Sequence, residues 1–97
     1  MANKGCIKVT GNDGWVNVQT AMQEKYEDFT FQDGKTYIIQ VFGSNQICIL
    51  TDREPEEDEG FGRTEEPFSY TYKTGEILYA KCKFSRNHES IKINIAD

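Results

Sequence analysis

The stretch Thr36–Thr51, TYIIQVFGSNQICILT, decides the fold class. Two runs rich in β-branched and aromatic residues flank Gly43-Ser44-Asn45, with Asp33-Gly34 before them and an acidic run after. Such runs between turn residues read as strands. A three-residue loop with Asn45 in the left-handed position predicts a hairpin. Phe42 then opposes Gln46, with Val41 against Ile47 and Ile39 against Ile49 on one face. Ile38 meets Leu50 on the other face, and Gln40 meets Cys48. A two-residue loop would set Gln40 against Ile49, and a one-residue slip moves every side chain to the wrong face. Both faces of this pair are apolar, so it is expected inside a two-layer protein.

The same pattern recurs outward from this stretch. Upstream, residues 6–9 and 15–18 flank the turn Gly11-Asn12-Asp13-Gly14, which predicts Val9 against Val16 and Ile7 against Val18. Thr20 and Gln23 form a capping-box pattern, and Met22, Tyr26 and Phe29 follow helical spacing, predicting a short helix over residues 20–27. Phe29 and Phe31 alternate before Asp33-Gly34, a hairpin turn that pairs Phe31 with Thr36 and Phe29 with Ile38. The two phenylalanines are then expected to cover the Ile38/Leu50 face.

Downstream, residues 68–72 alternate aromatic with small polar side chains, and Lys73-Thr74-Gly75-Glu76 turns the chain. Leu78, Ala80, Cys82 and Phe84 share one face, with Tyr79, Lys81 and Lys83 on the other. A loop over residues 86–89 returns the chain so that Ile91, Ile93 and Ile95 match Phe84, Cys82 and Ala80. Seven or eight short strands with turns between them predict an all-β fold, an antiparallel β-sandwich or jelly-roll-like barrel. One domain is expected over residues 1–97, with an acidic loop at 52–66.

Composition narrows the function. A chain of 97 residues buries enough surface to fold without staples. Cys6, Cys48 and Cys82 are odd in number and come without a signal peptide, which argues against a disulfide framework, and they read as small buried hydrophobes. The opening Met1-Ala2-Asn3-Lys4-Gly5 has no signal-peptide core, and no run is long enough to span a bilayer. Synthesis in the cytoplasm and a soluble product are therefore expected. Of the net charge of −5, the segment 52–66 carries −6, from eight acids and two arginines, leaving the rest at +1. That balance argues against non-specific binding to nucleic acid or anionic membrane.

No residues converge on a catalytic pattern. The one histidine, His88, sits in a polar turn, and Cys48 and Cys82 lie in apolar strands where a thiolate is costly. No cysteine pair has zinc-site spacing, and Gly60-Phe61-Gly62 lacks the lysine of a phosphate loop. The run from Asp52 to Gly60 fails the calcium-loop pattern, because Pro55 and Glu57 occupy positions that need other residues. No catalytic residue, cofactor or metal is assigned. Long loops usually carry function or are disordered, so the segment has three readings: a solvated, mobile loop that keeps the body soluble, a weak divalent-cation site, or a partner-binding loop. In the last, its acids Asp52, Glu54, Glu56, Glu57, Asp58 and Glu59 would meet a basic patch, with Phe61 as apolar anchor and Arg53, Arg63 and Trp15 beside them.

One resemblance covers most of the chain. It rests on Trp15-Val16 with Val18, Tyr37-Ile38-Ile39-Gln40 with Gly43, and Ile47-Cys48-Ile49. Pro55 and Gly60-Phe61 follow, and Gly75-Glu76-Ile77-Leu78-Tyr79-Ala80-Lys81 leads into the closing strands. This order of features resembles small all-β structural proteins of bacteriophage virions: head decoration proteins, head-fibre bases and tail components. The resemblance implies a non-enzymatic virion component, made in the host cytoplasm and present in several copies. Its implied partners are capsid, portal, fibre or tail subunits. The alternative reading is a carbohydrate-binding β-sandwich module that stacks sugar on Trp15 and on Tyr70 and Tyr72.

Overall fold

The apolar alternation of the strands is satisfied by two sheets facing one another. A computed structural model describes residues 2–84 and 89–97. Its elements are β1 (Asn3–Thr10), β2 (Val16–Asn17), α1 (Val18–Lys25), β3 (Thr36–Phe42), β4 (Asn45–Leu50), β5 (Phe61–Arg63), β6 (Phe68–Thr71), β7 (Ile77–Cys82) and β8 (Ser90–Ala96). One antiparallel sheet runs β1-β8-β3-β6 and the other β2-β7-β4-β5. Two interleaved four-stranded sheets in this order make the eight-stranded jelly-roll form of the β-sandwich. The alternation places Ile7, Val9, Tyr37, Ile39, Val41, Ile91, Ile93 and Ile95 inward from the first sheet, and Ile47, Leu78, Ala80 and Cys82 inward from the second. Burying each large side chain contributes about 1.5–3 kcal/mol.

The expected hairpins are the main correction. β3 and β4 do not pair: β3 lies between β8 and β6, and β4 between β7 and β5. Crossing between layers lets both strands turn their apolar faces to one shared interior, which a flat hairpin denies to one face. The corner uses Gly43, whose φ of +106° is left-handed, and Asn45 is not left-handed, since no described non-glycine residue has positive φ. Asn45 instead pins the corner with its side chain, its Nδ2 donating to the Gly43 and Arg63 carbonyls at 3.0 and 3.1 Å.

The other expected pairings fail for the same reason. Ile7 and Val9 pair with Ile93 and Ile91, while Val16 pairs with Ala80 in the opposite sheet and Val18 opens α1. Ile91, Ile93 and Ile95 do not pair with β7, because β8 sits between β1 and β3. The loop expected at 86–89 lies outside the described residues except for Glu89. Phe29 and Phe31 form no strand and pack on Tyr37, away from the Ile38/Leu50 side. Phe31 is the hub of this cluster, edge-on to Phe29, Tyr37 and Tyr70 and stacked on Tyr72.

Local readings that did not depend on pairing hold. Gly34 turns with φ of +78°, and the Lys73–Glu76 turn closes with Glu76 N–H donating to Lys73 O at 3.0 Å. The helix exists but starts two residues earlier than expected. Asn17, not Thr20, is its cap, its Oδ1 accepting from Thr20 N. Met22 and Val18 face the core, and the residues ending the helix cover the free edge of β1. Tyr26 Oη accepts from Cys6 N at 3.1 Å, and Lys25 Nζ donates to Cys6 O at 2.8 Å. Gly5 admits the Tyr26 ring, which a Cβ there would meet at 2.4 Å.

The outer face of the first sheet is basic. Lys8 and Lys92 stand directly opposite on β1 and β8, and Phe42 follows Lys92 on β3. Gly11 N–H donates to Glu89 O, so by strand alternation Lys8 and Lys92 form a non-hydrogen-bonded pair, the kind in which side chains stand closest. Like charges so placed are destabilising. Lys92→Glu is therefore expected to stabilise the fold by about 0.2–1 kcal/mol, read as a higher urea midpoint at unchanged m-value. A lower midpoint would show that the two lysines do not repel.

Candidate functional site

The acidic run leaves β4 at Leu50 and returns as β5, and it is folded against the outer face of the second sheet. Trp15 lies half-buried beneath it, its Nε1 donating to Glu56 O at 2.8 Å. Lys81 projects outward from β7 because Ala80 and Cys82 take the inward positions. It is nevertheless only 6 % exposed, with its Nζ donating to Glu57 O and lying 5.3 Å from the centre of the Trp15 ring. Pro55 is buried. Gly60 lets the chain pass close to the sheet: its φ is +101°, and a Cβ there would meet Ile47 O at 2.8 Å and the Trp15 ring at 2.9 Å.

Within the loop, Arg53 and Glu59 form a bidentate pair at 2.7 and 2.8 Å. Glu59 also accepts from Glu56 N at 3.1 Å. The Arg53 guanidinium, helped by that backbone donor, holds the Glu59 carboxyl down at about 2, and the carboxylate raises Arg53 in turn. The side chains of Asp52, Glu54, Glu56, Glu57 and Asp58 are exposed, with no ion pair among the described residues. The loop is a clamped platform that holds five acids outward.

Beside it, β5 is short and pairs only with residues 45–47 of β4. Phe61 opposes Ile47 and so projects on the same side of the sheet, where it is 80 % exposed. A groove of about 520 Å³ runs along Ile47, Ile49, Leu50 and Phe61, with Glu59 at its rim. Ile49 is also exposed. Arg63 lies 4.4 Å from the centre of the Phe68 ring on β6.

The residues expected to meet a partner therefore divide. Asp52, Glu54, Glu56, Glu57 and Asp58 are presented on the outer side and Phe61 is exposed at the β5 edge on the side that Ile47 faces, whereas Arg53 and Glu59 hold each other, Arg63 stacks on Phe68, and Trp15 supports the loop from below. Lys81 was missed as a loop anchor, because its alternation with Ala80 and Cys82 matched an ordinary solvent-facing lysine. The rings proposed for sugar stacking are used internally. Tyr70 is buried with its hydroxyl toward Glu76, and Tyr72 stacks on Phe31.

Cys48 and Cys82 are buried and Cys6 is half-buried, all with free thiols. Burial pushes both buried thiols up. His88 lies outside the described residues. Among the described residues, no cluster of three or more His, Cys, Asp or Glu side chains is placed to hold a metal, and no helix is long and apolar enough to cross a membrane. The chain matches no protein-family model, no curated protein and no solved structure.

Two outcomes test the platform. Gly60→Ala places a methyl against Ile47 O and Trp15 and is expected to cost about 1–3 kcal/mol, with a red shift of Trp15 emission as the loop lifts. The Arg53–Glu59 clamp fixes an acid dependence as well. A carboxyl at about 2 in the folded loop, against about 4.3 in an unfolded chain, stabilises the fold above the higher value and loses that contribution as pH falls toward the lower. The urea midpoint should fall across that window in the wild type and fall less in Glu59→Gln, which lacks the clamp carboxylate.

Proposed function

We propose that this protein is a non-enzymatic assembly component of the bacteriophage-virion type, which joins neighbouring subunits through the 52–66 loop and the groove beside Phe61. The observation that carries this reading is the anchored loop. Trp15 and Lys81 hold its backbone, while its acids and a largely exposed phenylalanine point to solvent. A flexible solubilising tail needs no such anchors. Holding the acids in place reduces the ordering cost of binding, and an exposed aromatic beside an apolar groove is the usual composition of an interface centre. A sugar-binding reading gains no comparable support, since Trp15, Tyr70 and Tyr72 are committed to the loop and the core.

Mass spectrometry of purified particles should detect this chain at a fixed stoichiometry. Exposed charges on a rim act mainly through long-range attraction. The triple variant Glu56→Lys, Glu57→Lys, Asp58→Lys should therefore lose incorporation by roughly tenfold or more at low salt, with its urea midpoint unchanged. Full incorporation of that variant would remove the loop from the interface, and absence of the wild-type chain from particles would overturn the assembly reading itself.

A further inference from the structure

The two outer faces of the sandwich carry opposite charge. The second sheet is covered by the acidic platform, with Asp52, Glu54, Glu56, Glu57 and Asp58 exposed. The first sheet presents Lys8 and Lys92 in one cross-strand row with Phe42. Lys25 stands beside that row, and all four side chains are exposed. Lys8 and Lys92 have no ion pair among the described residues. Asp97 already holds both Lys4 and Lys35, at 3.2 and 2.5 Å, and the exposed Glu65 reaches this sheet through its carbonyl, which accepts from Gln40 Nε2 at 2.9 Å. A recess of about 340 Å³ opens within the patch, edged by Lys8, Lys25, Phe42 and Lys92. The basic face thus has an exposed phenylalanine and a hollow within it, while Phe61 and its groove flank the acidic platform at the β5 edge, on the side of the sheet that Ile47 faces.

We propose that the basic Lys8/Lys92/Phe42 face of one copy is the docking surface for the acidic loop and Phe61 of a second copy. This rests on the assembly reading above and specifies the neighbour. The unrelieved repulsion between Lys8 and Lys92 is removed when carboxylates are seated over them. The apolar rings on both sides leave water in the same step. Because the two patches lie on opposite faces, the contact is heterologous: each copy keeps one patch free, and association continues head to tail into rings or filaments. A nucleic acid is a poorer occupant of the basic face. A few lysines on a chain of net charge −5 release too few counterions to hold one at physiological salt.

Sedimentation velocity of the purified full chain tests this. The wild type should form concentration-dependent oligomers at low salt that weaken by roughly tenfold or more as salt screens the charges. Lys92→Glu, which gains a cross-strand partner in Lys8 and so should not unfold, should abolish them, as should the Glu56→Lys, Glu57→Lys, Asp58→Lys variant. Mixing these two variants offers a third arm. Each retains the patch that the other lacks, so a heterologous contact yields a capped one-to-one dimer. A wild type that stays monomeric at low salt overturns the proposal, even if the chain is still incorporated into particles. So does oligomer formation that Lys92→Glu leaves intact, or a mixture that remains monomeric. A monomeric chain that shifts a labelled single-stranded oligonucleotide, with the shift lost in Lys92→Glu, would assign the basic face to nucleic acid instead.

Discussion

Gly43 carries the chain from β3 to β4 with so little clearance that a Cβ at this position would stand 3.1 Å from both the Ser90 carbonyl and the Ile91 side chain. The rest of the sandwich depends on this approach. It turns β3 out of one layer and delivers β4 to the other, with Asn45 bonding back across the corner. The same change of layer occurs from β1 to β2, from β6 to β7 and from β7 to β8. Each strand is therefore flanked by strands far away in the chain, and the interior is filled from both sides by one alternating face per strand. The acidic loop is the exception, since β4 and β5 belong to the same sheet and pair directly.

Much of this was legible in the residues, and the part that was not has a single cause. Alternation located β1, β3, β4, β6, β7 and β8 and chose the inward face correctly for β1, β6, β7 and β8, because a side chain's direction is a local property with a period of two. For β3 both faces read as buried, and β5 lay within the segment read as loop. Turn residues located the corners at Gly34, Gly43 and Gly75. Pairing is not local. The register that sorted Val41 with Ile47 also sorts Val41 with Ile93, and residue type alone does not distinguish a hairpin from a corner between layers. The helix start was displaced because Asn17 also serves as a cap, and no residue pattern marked it above Thr20. For the loop, charge showed where to look, but its anchors were hidden in residues of ordinary appearance. Trp15 read as an aromatic beside a turn and Lys81 as one of several outward lysines.

An acidic segment of this composition is expected to remain solvated, because like charges repel and little apolar surface is available to bury. Here the ordering comes from outside the segment. The indole and ammonium groups of Trp15 and Lys81 bind backbone carbonyls, not carboxylates, so the acids are held in place without being neutralised. The internal Arg53–Glu59 pair removes one charge of each sign and leaves the remainder as a surplus of one sign. The fold thus separates structural from presented charge: Lys81, Arg53 and Glu59 serve the loop, and the other acids face solvent. On the opposite sheet, Asp97 does the same for Lys4 and Lys35, which leaves Lys8 and Lys92 as the surplus.

The position of β8 bears on when this molecule takes shape. It is the last strand of the sandwich to be synthesised, yet it lies inside its sheet, between β1 and β3, and supplies Ile91, Ile93 and Ile95 to the centre of the core. Until those residues leave the ribosome, β1 and β3 have no shared neighbour and the first sheet cannot form. Non-local pairing of this kind is slow to nucleate, and strands waiting for a partner expose edges to other chains. Folding of the first sheet therefore waits until synthesis has passed β8, and a nascent chain stalled just short of Ser90 would hold β1 and β3 without the strand that joins them.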